Sequence, residues 1–252
     1  MTFYKPSTSL LAIALVLSLT ACVANNEPLS TALDSMQGKK AATQTRLTTA
    51  AAEAIAAGRT TEALMHHANL YETDRKDADN ALNYAQLLRR TGKSDEALKV
   101  LAPFVKKKPA KDGATTEVHP LLLNEYAANL VERGDLTEAQ KIIDRVLADE
   151  KAKGQHADAM NLLGVSLDAQ GRHKEAETMF KLALEGWNGN PTTVMNNLAL
   201  CLASQAKFDE ALTTLRQALV IAPDKQEIAR NIQIVSELHD NIVAKPVNIK
   251  KN

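Results

Sequence analysis

The sequence predicts an all-α solenoid of about five helix-turn-helix repeats. Three observations carry that reading. Five times Glu-Ala stands four residues after Gly or Ala: Gly58/Glu62-Ala63, Gly92/Glu96-Ala97, Gly134/Glu138-Ala139, Gly171/Glu175-Ala176 and Ala206/Glu210-Ala211. The five alanines lie 34, 42, 37 and 35 residues apart, a period that accommodates two helices and a tight turn. No segment shows the sustained apolar–polar alternation of a strand.

Each part of the repeat has a physical reason. The small residue closes a first helix, where a positive φ is easiest for glycine. The alanine five positions on lies where the two helices of one repeat press together, and only a small side chain lets those backbones approach. A bulky apolar group is expected four residues later on the same face. Leu101, Ile143, Phe180 and Leu215 fit, and His67 does not. Proline twelve residues after the alanine would stop the second helix. Pro109 and Pro223 stand there, whereas repeats three and four carry Lys151 and Asn188, with Pro191 three residues late.

The first helices should each set a small residue between two apolar neighbours. The sets are Tyr84/Ala85/Leu88, Tyr126/Ala127/Leu130, Leu163/Gly164/Leu167 and Leu198/Ala199/Leu202. The earliest, Ala50/Ala51/Ala54, is the weakest and reads as an atypical cap. A last helix, about residues 226–240, carries Ile228, Ile232, Ile234, Val235 and Leu238 and is expected to cover the final apolar face. The long gap before Ala139 implies a loop insertion marked by Lys106, Lys107, Lys108, Lys111, Asp112, Gly113 and Pro120. With glycine, leucine and proline in register, this is the pattern of the tetratricopeptide repeat (TPR). The resemblance implies a right-handed superhelical solenoid over residues 44–240. Its repeats fall at about 44–77, 78–111, 120–153, 157–190 and 192–225, followed by a C-terminal capping helix.

Composition excludes several functions. The 252 residues hold 30 basic and 30 acidic side chains, so there is no basic excess for nucleic acid. Aromatic residues are 4%, too few for a base-stacking surface. With 45% apolar residues the chain is not a disordered acidic protein.

The N-terminus reads as a targeting segment. Lys5 precedes an apolar run over residues 9–19, shorter than a bilayer-spanning helix. The run ends in Leu19-Thr20-Ala21-Cys22, which resembles the bacterial lipoprotein box. That resemblance implies a signal peptide over residues 1–21 and lipidation of Cys22. Two or more acyl chains anchor stably where one is marginal. Val23, rather than Asp, follows the cysteine, which implies the outer membrane, periplasmic face. Residues 22–43 read as the lipidated cysteine and a tether, in which Leu33 to Met36 could add a helical turn. Residues 241–252 read as a loose tail. Cys201 is the one remaining cysteine, so no intramolecular disulfide can form. A small buried hydrophobe is the preferred reading over a redox thiol.

No catalytic or cofactor motif is present. His66, His67, His119, His156, His173 and His239 are scattered, with no metal-ligand spacing. There is no Gly-x-Ser-x-Gly, phosphate-binding glycine loop or His-Glu-x-x-His. The recurring Glu belongs at second-helix N-termini, where negative charge is favoured. A non-enzyme without cofactor, metal or small-molecule substrate is expected. The candidate site is the inner face of the first helices, which the repeat resemblance makes concave. Asn124, Asn161, Asn196 and Asn197 fall there, with Asn83 and Asn231 in comparable places. Asn carries both donor and acceptor and could grip a peptide backbone. The alternative is plain helix polarity or local backbone bonding. Arg89 and Arg90 near the end of that face could take an acidic partner.

Three segments narrow the family: Asn161-Leu162-Leu163-Gly164-Val165-Ser166-Leu167-Asp168, Gly171-Arg172-His173-Lys174-Glu175-Ala176 and Asn196-Asn197-Leu198-Ala199-Leu200. Behind a lipobox they resemble the TadD family, the repeat lipoproteins of tight-adherence (Tad/Flp) pilus assembly. Asp209-Glu210-Ala211-Leu212 and Arg230-Asn231-Ile232 continue the likeness, which is best from about 158 to 238. Ala199 and Ala206 depart from it, since many relatives have Gly there. The resemblance implies a pilotin-like role, aiding localisation or oligomerisation of a protein partner such as the secretin. An adaptor of peptidoglycan enzymes and a type IV pilus pilotin remain alternatives.

Overall fold

The computed structural model describes residues 29–105 and 118–243, and among them every regular element is helical. Eleven α-helices follow in order: α1 (Leu29–Ala56), α2 (Thr60–Thr73), α3 (Ala78–Arg90), α4 (Ser94–Val105), α5 (Pro120–Arg133), α6 (Leu136–Leu147), α7 (His156–Ala169), α8 (His173–Gly186), α9 (Thr192–Ser204), α10 (Phe208–Ile221) and α11 (Gln226–Val243). A 3-10 segment, Glu150–Gln155, joins α6 to α7. The described residues fall into two compact units, one through Asn80 and one from Ala81. The signal sequence, Cys22, the inserted stretch with Pro109, and residues 244–252 lie outside the described residues.

The five turns share one backbone geometry. Gly58, Gly92, Gly134 and Gly171 have φ of 68°, 73°, 86° and 74°, and Ala206 takes 58°. At each, the following amide reaches back five residues: Arg59 to Ala54, Lys93 to Leu88, Asp135 to Leu130, Arg172 to Leu167 and Lys207 to Leu202, at 2.8–3.0 Å. This is the Schellman closure, which satisfies the last free carbonyls of the first helix. A Cβ at the four glycines would touch nothing, so the residue choice there is conformational alone. An L-residue held left-handed costs about 1–2 kcal/mol. Ala206→Gly is therefore expected to raise stability by about 1 kcal/mol, and Gly171→Ala to lower it by about as much. Urea unfolding of the two variants checks both signs.

Packing follows the repeat. Ala63, Ala97, Ala139, Ala176 and Ala211 are all fully buried, and so are Leu101, Ile143, Phe180 and Leu215. His67 is half-buried. Burial, and next the neighbouring His66, lower its pKa. Its Nδ1 has no hydrogen-bond partner, as expected of a polar group in a packing position.

Two elements differ from the sequence reading. Helix α1 begins at Leu29, inside the stretch read as a tether. Pro28 precedes it, and from there to Ala56 the helix-tolerant residues are interrupted by Gly38 alone, which a helix accepts at about 1 kcal/mol. Helix α11 runs to Val243, into the segment read as a tail. It covers the end of the stack with Ile228 and Val235, both buried, while Ile234 and Leu238 stay exposed.

Candidate functional site

Most of the polar side chains singled out on the first helices serve as ties between repeats. Asn197 Nδ2 donates to Asn161 Oδ1 at 3.1 Å, from α9 to α7. Asn231 Nδ2 donates to Asn196 Oδ1 at 2.7 Å, from α11 to α9. The partners are 36 and 35 residues apart, one repeat, so matching faces of successive first helices carry them. All four are half-buried. Each bond occupies only part of an amide, which leaves polar capacity along that face.

Asn124 and Arg89 are committed more deeply. Asn124 is 7% exposed and its Nδ2 donates to the Gln155 carbonyl at 3.1 Å, pinning α5 to the 3-10 segment. Arg89 makes a fork with Glu125, Nε to Oε1 at 2.7 Å and Nη2 to Oε2 at 3.2 Å. Burial works against the Arg89 charge, but Glu125 and then Glu132 outweigh it and raise its pKa. These two positions therefore face neighbouring helices rather than a free groove. Asn83 and Arg90 are exposed.

A second polar group was invisible in the sequence. Glu177 in α8 is 8% exposed. It accepts from Lys181 Nζ at 2.7 Å, Lys207 Nζ at 2.7 Å and Gln205 Nε2 at 2.9 Å. Burial opposes its charge, but these three donors win and hold the carboxyl at about 2. Because the folded value lies below the ordinary glutamate value of about 4.3, the stabilisation is full above that value and is lost as pH falls toward 2. The stability gap between the parent and Glu177→Gln is thus expected to narrow across that window. Urea midpoints measured at pH 6, 4 and 3 test it.

Cys201 is fully buried. Burial, and next the contact with Asp168, push its thiol up to about 12, the opposite of a reactive cysteine. Its Sγ donates to the His173 carbonyl at 3.2 Å, and His173 Nδ1 meets Asp168 Oδ1 at 2.7 Å. No linear spacing announces this trio; stacking of two repeats assembles it.

Paired helices joined by left-handed turns, with polar ties between successive repeats, are the architecture of a protein-interaction scaffold. The chain belongs to the tetratricopeptide repeat family: repeat models match residues 119–188 and residues 54–122 and 167–231. In structure it is similar to a thermophilic tetratricopeptide-repeat protein of Thermus thermophilus, at 18% identity over 77% of this chain and 99% of that one, TM-score 0.64. It is similar to Cut9 with Hcn1 in the APC/C hetero-tetramer, at 16% identity over 76% of this chain and 35% of that one, TM-score 0.58. A tetratricopeptide repeat protein of Parabacteroides merdae aligns at 14% identity over 78% of this chain and 73% of that one, TM-score 0.50. These likenesses carry the fold. No curated protein is matched in sequence. The fold is typically a non-enzymatic scaffold, and it binds protein partners. Among the described residues no helix is long and apolar enough to cross a membrane.

Proposed function

We propose that this protein is an outer-membrane lipoprotein scaffold for Tad/Flp pilus assembly, held at the periplasmic face through Cys22. In this reading its solenoid binds a protein partner such as the secretin and aids its localisation or oligomerisation, as a pilotin does. The observation that carries the reading is the lipid-acceptor motif Leu19-Thr20-Ala21-Cys22 ahead of an interaction solenoid. The residues of repeats four and five that resemble the TadD family add to it. The half-buried amides of Asn161, Asn196, Asn197 and Asn231 offer the partner a polar strip with fixed spacing. Side chains already held in place lose less entropy on binding.

The Cys22→Ser chain is expected to leave the membrane fraction and appear soluble in the periplasm, since without acyl chains nothing holds it to lipid. Recovery of that variant still in membranes overturns the anchor. The partner is tested by immunoblotting the unheated secretin multimer in fractionated membranes of a deletion strain and its Cys22→Ser complement. Loss or misplacement of the multimer in both supports the pilotin role. An unchanged multimer turns the reading to an adaptor of peptidoglycan enzymes.

A further inference from the structure

We propose that Asp168, His173 and Cys201 form a Zn²⁺ site that clips the fourth repeat to the fifth. The three side chains come from the end of α7, the start of α8 and the last turn of α9. A carboxylate oxygen, an imidazole nitrogen and the thiol sulfur all lie within 4.8 Å of one another. Zinc binds these three atom types at about 2.0–2.3 Å in a tetrahedron, so its ligand atoms stand roughly 3–4 Å apart. The trio lies near that compactness, and the Asp168–His173 pair, at 2.7 Å, must open by about half an ångström for an ion to enter.

The surroundings meet the other needs of such a site. The backbone between two of the ligands is rigid, since the Gly171 amide bonds the Asp168 carbonyl at 2.9 Å and Arg172 bonds Leu167 at 3.0 Å. Gln205 Nε2 lies 3.8 Å from the sulfur, where it can donate to a thiolate, as outer groups around zinc sulfur do. Glu177 is already neutralised by Lys181 and Lys207, so it does not compete as a loose carboxylate. An open cleft of about 520 Å³ has His173 and Gln205 among its lining residues, so solvent reaches the trio from the His173 side, while Cys201 is fully buried.

Binding balances as Cys201–SH plus Zn²⁺ giving Cys201–S–Zn⁺ and a released proton, with the Asp168 carboxylate bringing the site to neutrality. Affinity therefore rises with pH. The charged or titratable groups around the sulfur are Asp168, His173, Glu177 and Lys207.

The test uses the full chain with Cys22→Ser, in detergent and stripped with a chelator, so that Cys201 is the single thiol. Titration with Co²⁺ is expected to produce a near-ultraviolet sulfur-to-metal charge-transfer band that saturates at one equivalent. Zn²⁺ should displace it one for one and raise Tm. Cys201→Ser should abolish the band, and His173→Gln and Asp168→Asn should each weaken Co²⁺ binding at least tenfold, with apo far-ultraviolet circular dichroism unchanged. Absence of the band in the parent, or its persistence after Cys201→Ser, overturns the site and returns the trio to a helix-turn hydrogen-bond cluster. Should a ligand variant fail to fold, the parent titration alone still decides. The secretin blot above is independent of this outcome.

Discussion

Phe180→Ala is expected to lower stability by about 3–5 kcal/mol, the largest effect of any single truncation in the fourth repeat. The ring is 1% exposed and fills the space that Gly164 leaves open on α7. A Cβ built at Gly164 would lie 2.6 Å from Cε1 and 2.7 Å from Cδ1 of that ring, far inside van der Waals contact. Gly164→Ala in the parent is thus expected to cost about 1–3 kcal/mol by overpacking, against a helix preference that alone would favour alanine by about 1 kcal/mol. The two changes must couple. In the Phe180→Ala background the ring is gone, the steric cost vanishes, and Gly164→Ala should become neutral or stabilising. A double-mutant cycle in urea reads the coupling directly. Additive losses would show that α7 and α8 do not pack through this pair. In thermal melts the Phe180→Ala loss corresponds to a Tm fall of roughly 10 °C.

Arg89→Met is expected to cost about 2–3 kcal/mol, because it strands the Glu125 carboxylate. Glu125 is 6% exposed, and Asn129 beside it is fully buried. Asn129 Nδ2 donates to Glu125 Oε1 at 3.0 Å, which cannot replace a cation. Removing one partner of a buried pair costs about 3–5 kcal/mol. The 29% exposure of the Arg89 side chain admits water and lowers the figure. Replacing both, as Arg89→Met with Glu125→Leu, should recover most of the loss, since no buried charge is then left alone. If Arg89→Met melted like the parent and instead weakened partner binding, Arg89 would be a free groove residue, as its place in the sequence suggested.

The repeat was legible because each of its parts answers to a local rule. A left-handed turn selects glycine, close helix approach selects alanine, and the alanine and bulky residues recur at the spacing of a helix face. Those constraints act within one repeat, and so the turns at Gly58, Gly92, Gly134 and Gly171 could be placed from spacing alone. Ala206 could be placed as well, because the neighbouring repeats fix its phase even where the residue type departs from the rule. The start of α1 was less legible. Residues 34–42 are exposed, so no apolar period marks them, and in sequence the stretch reads as a tether.

The repeat resemblance implied the inner first-helix face for Asn124, Asn161, Asn197 and Arg89, because it carries a position in one helix over to the next. What each one touches depends on the neighbouring repeat. Sequence alone determined the repeat, its phase, its turns and the small-residue contacts inside each pair. Tertiary structure alone decided that Arg89 meets Glu125, that the asparagines bond one another, and that Asp168, His173 and Cys201 converge. Those contacts form only when one repeat stacks on the next, and chain-local periodicity carries no information about which polar atoms then lie within bonding distance.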